Sequence, residues 1–374
     1  MTTDAEAAGR APIVAMAGNP NTGKSTLFNA ITGLRQHTGN WPGKTVARAE
    51  GHFQRHGTPY RLIDLPGTYS LLTATVDEEI ARDFILFGRP ACTVIVVDAT
   101  SLERNLNLVL QVLEITNKAV VALNLVDEAE RKGLAIDHHA LSDELGIPVV
   151  PTVGKTRQGV EDLLSAVEGV VRGEIETRPR RIQIGPELGH MVEELAGLLL
   201  RALPQLPNAR WVAMRLLEGD RRVQEALQRG ELGAAGGGEH RSADSLHGGT
   251  ILDAAVMLRR RLDVSFRDAV VQAIYADAER ITRRVMRRGR AMRRDWDTLV
   301  DRLLTSPWIG LPIMGLGLAI VFWITIVGAN VPSEWLASVL FSVEDQGSAL
   351  FDSWNSRGGQ RDSSGTGSFE AWPG

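Results

Sequence analysis

At 374 residues the chain has room for two or three folding units, and 44% hydrophobic with 23% charged residues is ordinary for globular material. A net charge of −4 argues against a general nucleic-acid binder. The single cysteine, Cys92, excludes a disulfide framework or a cysteine metal cluster and reads as a small buried side chain.

Met1 to Arg10 is acidic, polar and alanine-rich, which does not read as a signal peptide. From residue 11 to about 172 apolar strands alternate with amphipathic helices, the pattern of an α/β unit whose mostly parallel sheet is covered on both faces. Strands are expected near Ile13 to Ala17, Tyr60 to Asp64, Thr93 to Asp98, Val120 to Asn124 and Pro148 to Pro151. Helices are expected near Ser25 to Thr32, Glu78 to Phe87, Leu102 to Thr116, Ala140 to Leu145 and Val160 to Val171. Arg35 to Arg48, rich in Gly, Asn and Pro, reads as a loop holding the threonines able to close over a phosphate.

Three motifs sit at the C-terminal ends of these strands, where α/β sheets bind ligands. The first, Gly18-Asn19-Pro20-Asn21-Thr22-Gly23-Lys24-Ser25 followed by Thr26, matches G-x-x-x-x-G-K-[ST]: backbone amides close on phosphates, Lys24 reaches the β/γ oxygens and the Ser25 hydroxyl holds Mg²⁺. The second, Asp64-Leu65-Pro66-Gly67, is the D-x-x-G of a GTPase, with Asp64 supporting Mg²⁺ and the Gly67 amide sensing the γ-phosphate. The third, Asn124-Leu125-Val126-Asp127, is an N-x-x-D whose aspartate can accept two hydrogen bonds from guanine and has no such donor pair to accept from on adenine. Together they predict a P-loop GTPase, Ras-like, that binds GTP and GDP.

Arg172 to Ile184 reads as a basic, proline-containing linker. Beyond it the pattern is helical without strands, near Glu187 to Ala202, Trp211 to Glu218, Arg222 to Gln228, Ile251 to Leu262 and Ser265 to Arg290. This predicts an all-helical spacer domain over 185–300, interrupted by a glycine-rich insertion at 230–249 with no packed core of its own. Arg280, Arg283, Arg284, Arg287, Arg288, Arg290, Arg293 and Arg294 form a basic run suited to anionic lipid. From Ser306 to Val331 there is no charged residue, so 306–331 is expected to be one transmembrane helix with the N-terminal domains in the cytoplasm. The tail 355–374 has no periodicity, reads as disordered and looks like a truncation or frame-shift product.

The blocks Gly18 to Ser25, Thr38-Gly39-Asn40-Trp41-Pro42-Gly43-Lys44-Thr45-Val46, Asp64-Leu65-Pro66-Gly67-Thr68-Tyr69-Ser70-Leu71 and Asp98-Ala99-Thr100-Ser101-Leu102-Glu103-Arg104-Asn105-Leu106 closely resemble the prokaryotic ferrous iron transport protein B family. The resemblance covers about residues 11 to 335 and implies a GTPase domain over 11–172, a helical domain resembling a guanine-nucleotide dissociation inhibitor, and the first helix of a permease in the cytoplasmic (inner) membrane. It implies that Thr45 is the switch I threonine on Mg²⁺ and that Asn21 helps hold K⁺ against the phosphates. It places the base-sensing loop near Thr152-Val153-Gly154-Lys155-Thr156, with Val153 and Gly154 on the base. The transported ion would be Fe²⁺, with a second copy of the chain or a small accessory iron-transport protein as partner. Lys24, Thr45 and Gly67 would carry hydrolysis by positioning and charge neutralisation. Thr68 stands where Ras-like enzymes place a water-orienting glutamine, so the intrinsic rate should be slow and K⁺ should raise it.

Asp137-His138-His139, and His190 with Glu193 and Glu194, are of a kind that surface helices carry routinely, and no iron ligand is assigned to them. A single span has no polar lumen, so the chain alone is expected to hydrolyse GTP without transporting iron. A ribosome- or tRNA-associated GTPase shares the phosphate loop; the apolar segment, the acidic charge and the G-N-W-P-G block argue against it. A membrane-anchored nucleotide sensor without a transport role is the third reading.

Overall fold

The computed structural model describes residues 11–33, 36–41, 44, 46–72, 75–206, 208–232, 244–262, 265–288, 306, 311–326, 336 and 340–341. The chain divides into two compact units, one ending at Arg293 and the other beginning at Arg294.

The first unit is built on a seven-stranded sheet of order β2-β3-β4-β1-β5-β6-β8. Its strands are β1 (Ile13–Gly18), β2 (Gln36–Asn40), β3 (Ala47–Arg55), β4 (Thr58–Asp64), β5 (Cys92–Asp98), β6 (Ala119–Asn124) and β8 (Val149–Pro151). β4, β1, β5, β6 and β8 run parallel. β2 and β3 extend the edge in antiparallel register. The period-2 alternation of β1 divides the core: Val14 and Met16 face a cluster with Leu27, Phe28 and Val167, while Ala15 and Ala17 face one with Leu106, Val109 and Leu113. Helices α1 (Lys24–Thr32) and α6 (Val160–Arg172) cover the first face. Helices α2 (Val76–Phe87), α3 (Leu102–Ile115) and α5 (His138–Leu145) cover the second. α4 (Val126–Arg131) follows β6 directly.

The expected loop at Arg35 to Arg48 is corrected in part, because residues 36–40 pair with β3 in a regular ladder. Its Gly and Asn residues hide an edge strand whose backbone needs no apolar face. The β3–β4 turn has positive φ at both His56 (43°) and Gly57 (79°), the geometry a two-residue hairpin requires.

α3 is buried all round, which an isolated surface helix cannot be. One side packs on the sheet, and the other packs on the helical part of the unit. That part comprises α7 (Pro186–Ala202), α8 (Ala209–Glu218), α9 (Arg221–Gln228), α10 (Asp244–Arg259) and α11 (Phe266–Val285). α10 starts at Asp244, inside the stretch read as a glycine-rich insertion. The reading of this half as helical without strands is also corrected. α11 stops at Val285, and Met286–Arg288 form a strand, β9, paired antiparallel with β7 (Leu134–Ile136).

Among the described residues no helix is long and apolar enough to cross a membrane. In the second unit the described residues 311–326 are helical. Their apolar side chains are exposed, Phe322 by 60% and Trp323 by 64%. Thr45 and the tail 355–374 lie outside the described residues.

Cys92 is fully buried, and that burial pushes its thiol up to about 12. It should resist a disulfide reagent in mildly alkaline buffer while the protein is native and react stoichiometrically in concentrated guanidinium, a contrast that a colorimetric thiol assay reads directly.

Candidate functional site

β1 ends at Gly18 and the chain turns through Asn19 to Gly23 into α1. A Cβ on Gly18 would meet the Val96 carbonyl at 2.8 Å, so only glycine lets the loop lie this close to β5. Gly23 has φ 78°, and a Cβ there would run into the Asn124 amide. Asn21 has φ 65°, a conformation asparagine tolerates better than most residues. The Thr22 hydroxyl donates to the Asn19 carbonyl at 2.9 Å. The Asn19 amide is buried and neither of its polar atoms has a partner among the described residues. No side chain caps α1, so its first-turn amides remain available, the arrangement that suits an anion. Ser25 and Thr26 on that turn are exposed.

Lys24 is ion-paired with Asp64 at the end of β4 and donates to the Leu65 carbonyl at 2.8 Å. Burial raises the Asp64 carboxyl above the usual range, and the Lys24 charge and hydrogen bond oppose that rise. A phosphate would compete for the Lys24 ammonium. Asp64 would then need another cation, and its carboxylate and the Ser25 hydroxyl are hard oxygen donors of the kind that Mg²⁺ accepts.

Downstream of Asp64, Gly67 lies against Pro20 of the loop. The Thr68 amide donates to the Gly18 carbonyl at 3.3 Å, and its hydroxyl turns inward to the Ser70 carbonyl at 2.5 Å. At 4% exposure Thr68 is not placed to orient an attacking water. Gln111 of α3 holds the next turn, accepting from the Leu71 amide at 2.7 Å and the Ser70 hydroxyl at 3.1 Å. The Arg104 guanidinium sits 4.3 Å from the centre of the exposed Tyr69 ring. Sequence reading missed Gln111, although a glutamine on the apolar α3 is the signal of a buried polar group with a fixed partner.

The side of the candidate site at the ends of β6 and β8 is organised by Asn124. Its amide nitrogen donates to the Thr22 carbonyl at 2.9 Å, and its oxygen accepts from the Gly154 amide at 3.0 Å and the Thr152 hydroxyl at 3.3 Å. Thr152, which opens the stretch that the resemblance marks for base sensing, thus shares the tie. Leu125 has φ 61° and starts α4, placing Asp127 in the first turn with a side chain 51% exposed. Val153 is buried and bridged to Gln158. Gly18, Asp64, Asn124 and the loop at Val153 and Gly154 therefore follow the C-terminal ends of β1, β4, β6 and β8, one edge of the parallel sheet.

In the segment before the undescribed Thr45, Trp41 packs edge-on against Phe84 at 5.4 Å and lies 5.2 Å from the Arg48 guanidinium. Lys44 pairs with Glu79 at 3.3 Å. Of the residues weighed as metal sites, Asp137 caps α5 and Glu193 pairs with Arg210 at 2.6 Å.

Residues 12–167 match the family of ferrous iron transport protein B, and residues 185–287 match the FeoB cytosolic helical domain. The chain belongs to the ferrous iron transport protein B family. Its first part has the α/β fold of that family's GTPase domain, followed by a helical domain. It is 36% identical over 321 residues to the Fe(2+) transporter FeoB of Salmonella typhimurium, and as much to that of Escherichia coli, covering 84% of this chain. The chain spans 38% of the length of these relatives. Among solved structures it is similar to the cytosolic domain of T. maritima FeoB in a GDP form (TM-score 0.60, 30% identity), covering 74% of this chain and all of that one. It is similar to the same domain in a GMPPNP form (TM-score 0.59, 31% identity), with 74% and 99% covered. A GDP-bound mutant of S. thermophilus NFeoB gives TM-score 0.61 at 30% identity, with 74% and 100% covered.

Replacing Asn124 by alanine removes three hydrogen bonds at once and leaves the Thr22 carbonyl and Gly154 amide without that partner in a buried place. N124A should lower the unfolding free energy by about 2–4 kcal/mol in urea titration.

Proposed function

We propose that this chain binds GTP and GDP and hydrolyses GTP as the nucleotide-dependent part of ferrous iron uptake across the cytoplasmic membrane. The observation that carries the reading is Asp127, whose half-exposed carboxylate lies 4.0 Å from Arg131 and follows closely on the Asn124 tie to the phosphate loop. A carboxylate there can accept from both guanine donors while Lys24 leaves Asp64 for the β/γ oxygens. Gly18 to Thr26 wrap the phosphates, and Val153 and Gly154 close on the base. The Gly67 amide reports the γ-phosphate. The relatives bound to GDP and GMPPNP support this reading.

Ser25, Asp64 and Thr45 would hold Mg²⁺, which supplies neutralising charge to the phosphates when bound. Asn21, exposed on the loop, would hold K⁺. With Thr68 turned away, no side chain orients the attacking water from the glutamine position, so hydrolysis is slow and rests on positioning. We assign residues 11–172 to the GTPase domain, 185–300 to the spacer and 306–331 to a membrane span. The exposed apolar side chains of 311–326 support the span. The basic run ahead of it favours anionic lipid and a cytoplasmic N-terminus. Fe²⁺ is the cargo of the family, and a second copy or a small accessory iron-transport protein is the expected partner.

Phosphate release by the full chain in detergent should run several-fold faster in KCl than in NaCl, with the difference lost in N21A. Equal rates in the two salts would remove K⁺ from the site. Hydrolysis that survives K24A would overturn the assignment of the phosphate loop.

A further inference from the structure

α8 ends at Glu218, Gly219 turns the chain with φ 83°, and Asp220 caps α9 by accepting from the Val223 amide at 3.1 Å. This turn, the start of α11 at Arg267 and the flank of α2 at Glu79 and Arg82 enclose a cleft of about 550 Å³. No residue of the three nucleotide motifs lines it. Its volume is that of a small-molecule site. Both α9 and α11 begin at its wall, which brings the positive ends of two helix dipoles to it.

The charges of the lining do not cancel. Each carboxylate has a cation of its own: Glu218 pairs with Arg215 at 2.6 Å, Glu79 with Lys44 at 3.3 Å, Glu225 with Arg229 at 3.2 Å and Asp220 with Arg82 at 3.3 Å. Arg222 is held by Glu231 at 2.8 Å and Asp83 at 3.6 Å. Arg221 and Arg267 are exposed, line the cleft and form no ion pair among the described residues. The Arg259 guanidinium lies against Gly219 of the same wall, where an added Cβ would meet it at 2.2 Å. Arg82 is only 4% exposed, yet it lines the cleft. Its Nε donates to Asp83 and its Nη1 to Asp220, both at 3.3 Å, and its Nη2 has no acceptor among the described residues. The cleft thus holds surplus positive charge and a buried guanidinium with a donor left over.

Guanidinium forks match the oxygens of a phosphate monoester, which carries the double negative charge that such a surplus suits. Leu72 is the one apolar side chain of the lining, so the cleft offers no platform to a nucleobase or an acyl chain. Glu79 and Glu225 instead offer carboxylate oxygens, acceptors for hydroxyl groups. We propose that this cleft binds a sugar phosphate, with the phosphate on Arg82, Arg221 and Arg267 and the sugar hydroxyls on Glu79 and Glu225. The site is additional to the candidate nucleotide site, and its ligand carries no base.

Calorimetric titration of the full chain in detergent, with GDP and Mg²⁺ present to fill the nucleotide site, tests this with glucose 6-phosphate, fructose 6-phosphate and ribose 5-phosphate. At least one ester should bind at millimolar concentration or below, inorganic phosphate at least ten-fold more weakly, and glucose not measurably. R221Q/R267Q should weaken the ester at least ten-fold, while displacement of a fluorescent GDP analogue by GDP, the check on an intact fold, stays unchanged. R221K/R267K keeps the charge and should lose less. E225Q should weaken the ester and leave inorganic phosphate as it was. No binding by any of the three esters, or ester binding that R221Q/R267Q leaves unaltered, would overturn the site. Glucose or inorganic phosphate binding as tightly as the ester would overturn a sugar phosphate as its ligand.

Discussion

One buried amide holds the candidate nucleotide site together. The Asn124 side chain is 1% exposed and joins the phosphate loop, through the Thr22 carbonyl, to the base loop, through the Gly154 amide and Thr152 hydroxyl. These groups come from β1, β6 and β8, which the sheet brings to one edge but does not itself lock in mutual distance. A single side chain bonded in three directions does so. It also explains why Gly23 must be glycine, since the space a Cβ would take belongs to that amide. Each bond is worth about 1 kcal/mol net, yet leaving the partners buried and unpaired costs more. Loop geometry therefore rides on fold stability.

The helical part of the first unit is not a loosely tethered domain. Glu114 of α3 is 1% exposed in its side chain, and burial raises its carboxyl against the opposing effects of the Ile182 amide, Arg210 and Arg181. It accepts from the Ile182 amide at 2.7 Å and lies 3.4 Å from Arg210, so the linker and α8 converge on one carboxylate of the α/β part. Arg82 of α2 reaches Asp220 ahead of α9 at 3.3 Å. The loop after Gly67 is bonded to Gln111 on the α3 helix that packs against α11. A change in the loop after β4 thus meets α2 and α3, whereas a change at Asn124 to Asp127 meets α4 and β7.

The α/β core was legible because its strands are apolar runs and its motifs fall at their ends. Gly18 to Ser25, Asp64, Asn124 and Asp127 all lie where the sequence placed them, at one edge of the sheet. β2 was not legible, since Gln36 to Asn40 is polar and gains its structure only by pairing with β3. β7 and β9 were missed for a related reason: Met286-Arg287-Arg288 continues the composition of α11, and only the neighbouring Leu134 to Ile136 makes it a strand. The role of Gln111 was hidden because a single polar residue announces burial only when its partner is known. The family resemblance adds expectations that the motifs alone do not carry, for Asn21 and Thr45 among them.

The central claim is that the edge formed by Gly18, Asn124 and Asp127 recognises a guanine nucleotide. Competition against a bound fluorescent GDP analogue on the full chain, with Mg²⁺ present, tests it most directly. The account predicts that unlabelled GDP displaces the analogue while ADP at the same concentration does not, and that D127A binds weakly without distinguishing the two. Equal displacement by ADP and GDP in the unaltered protein would contradict it.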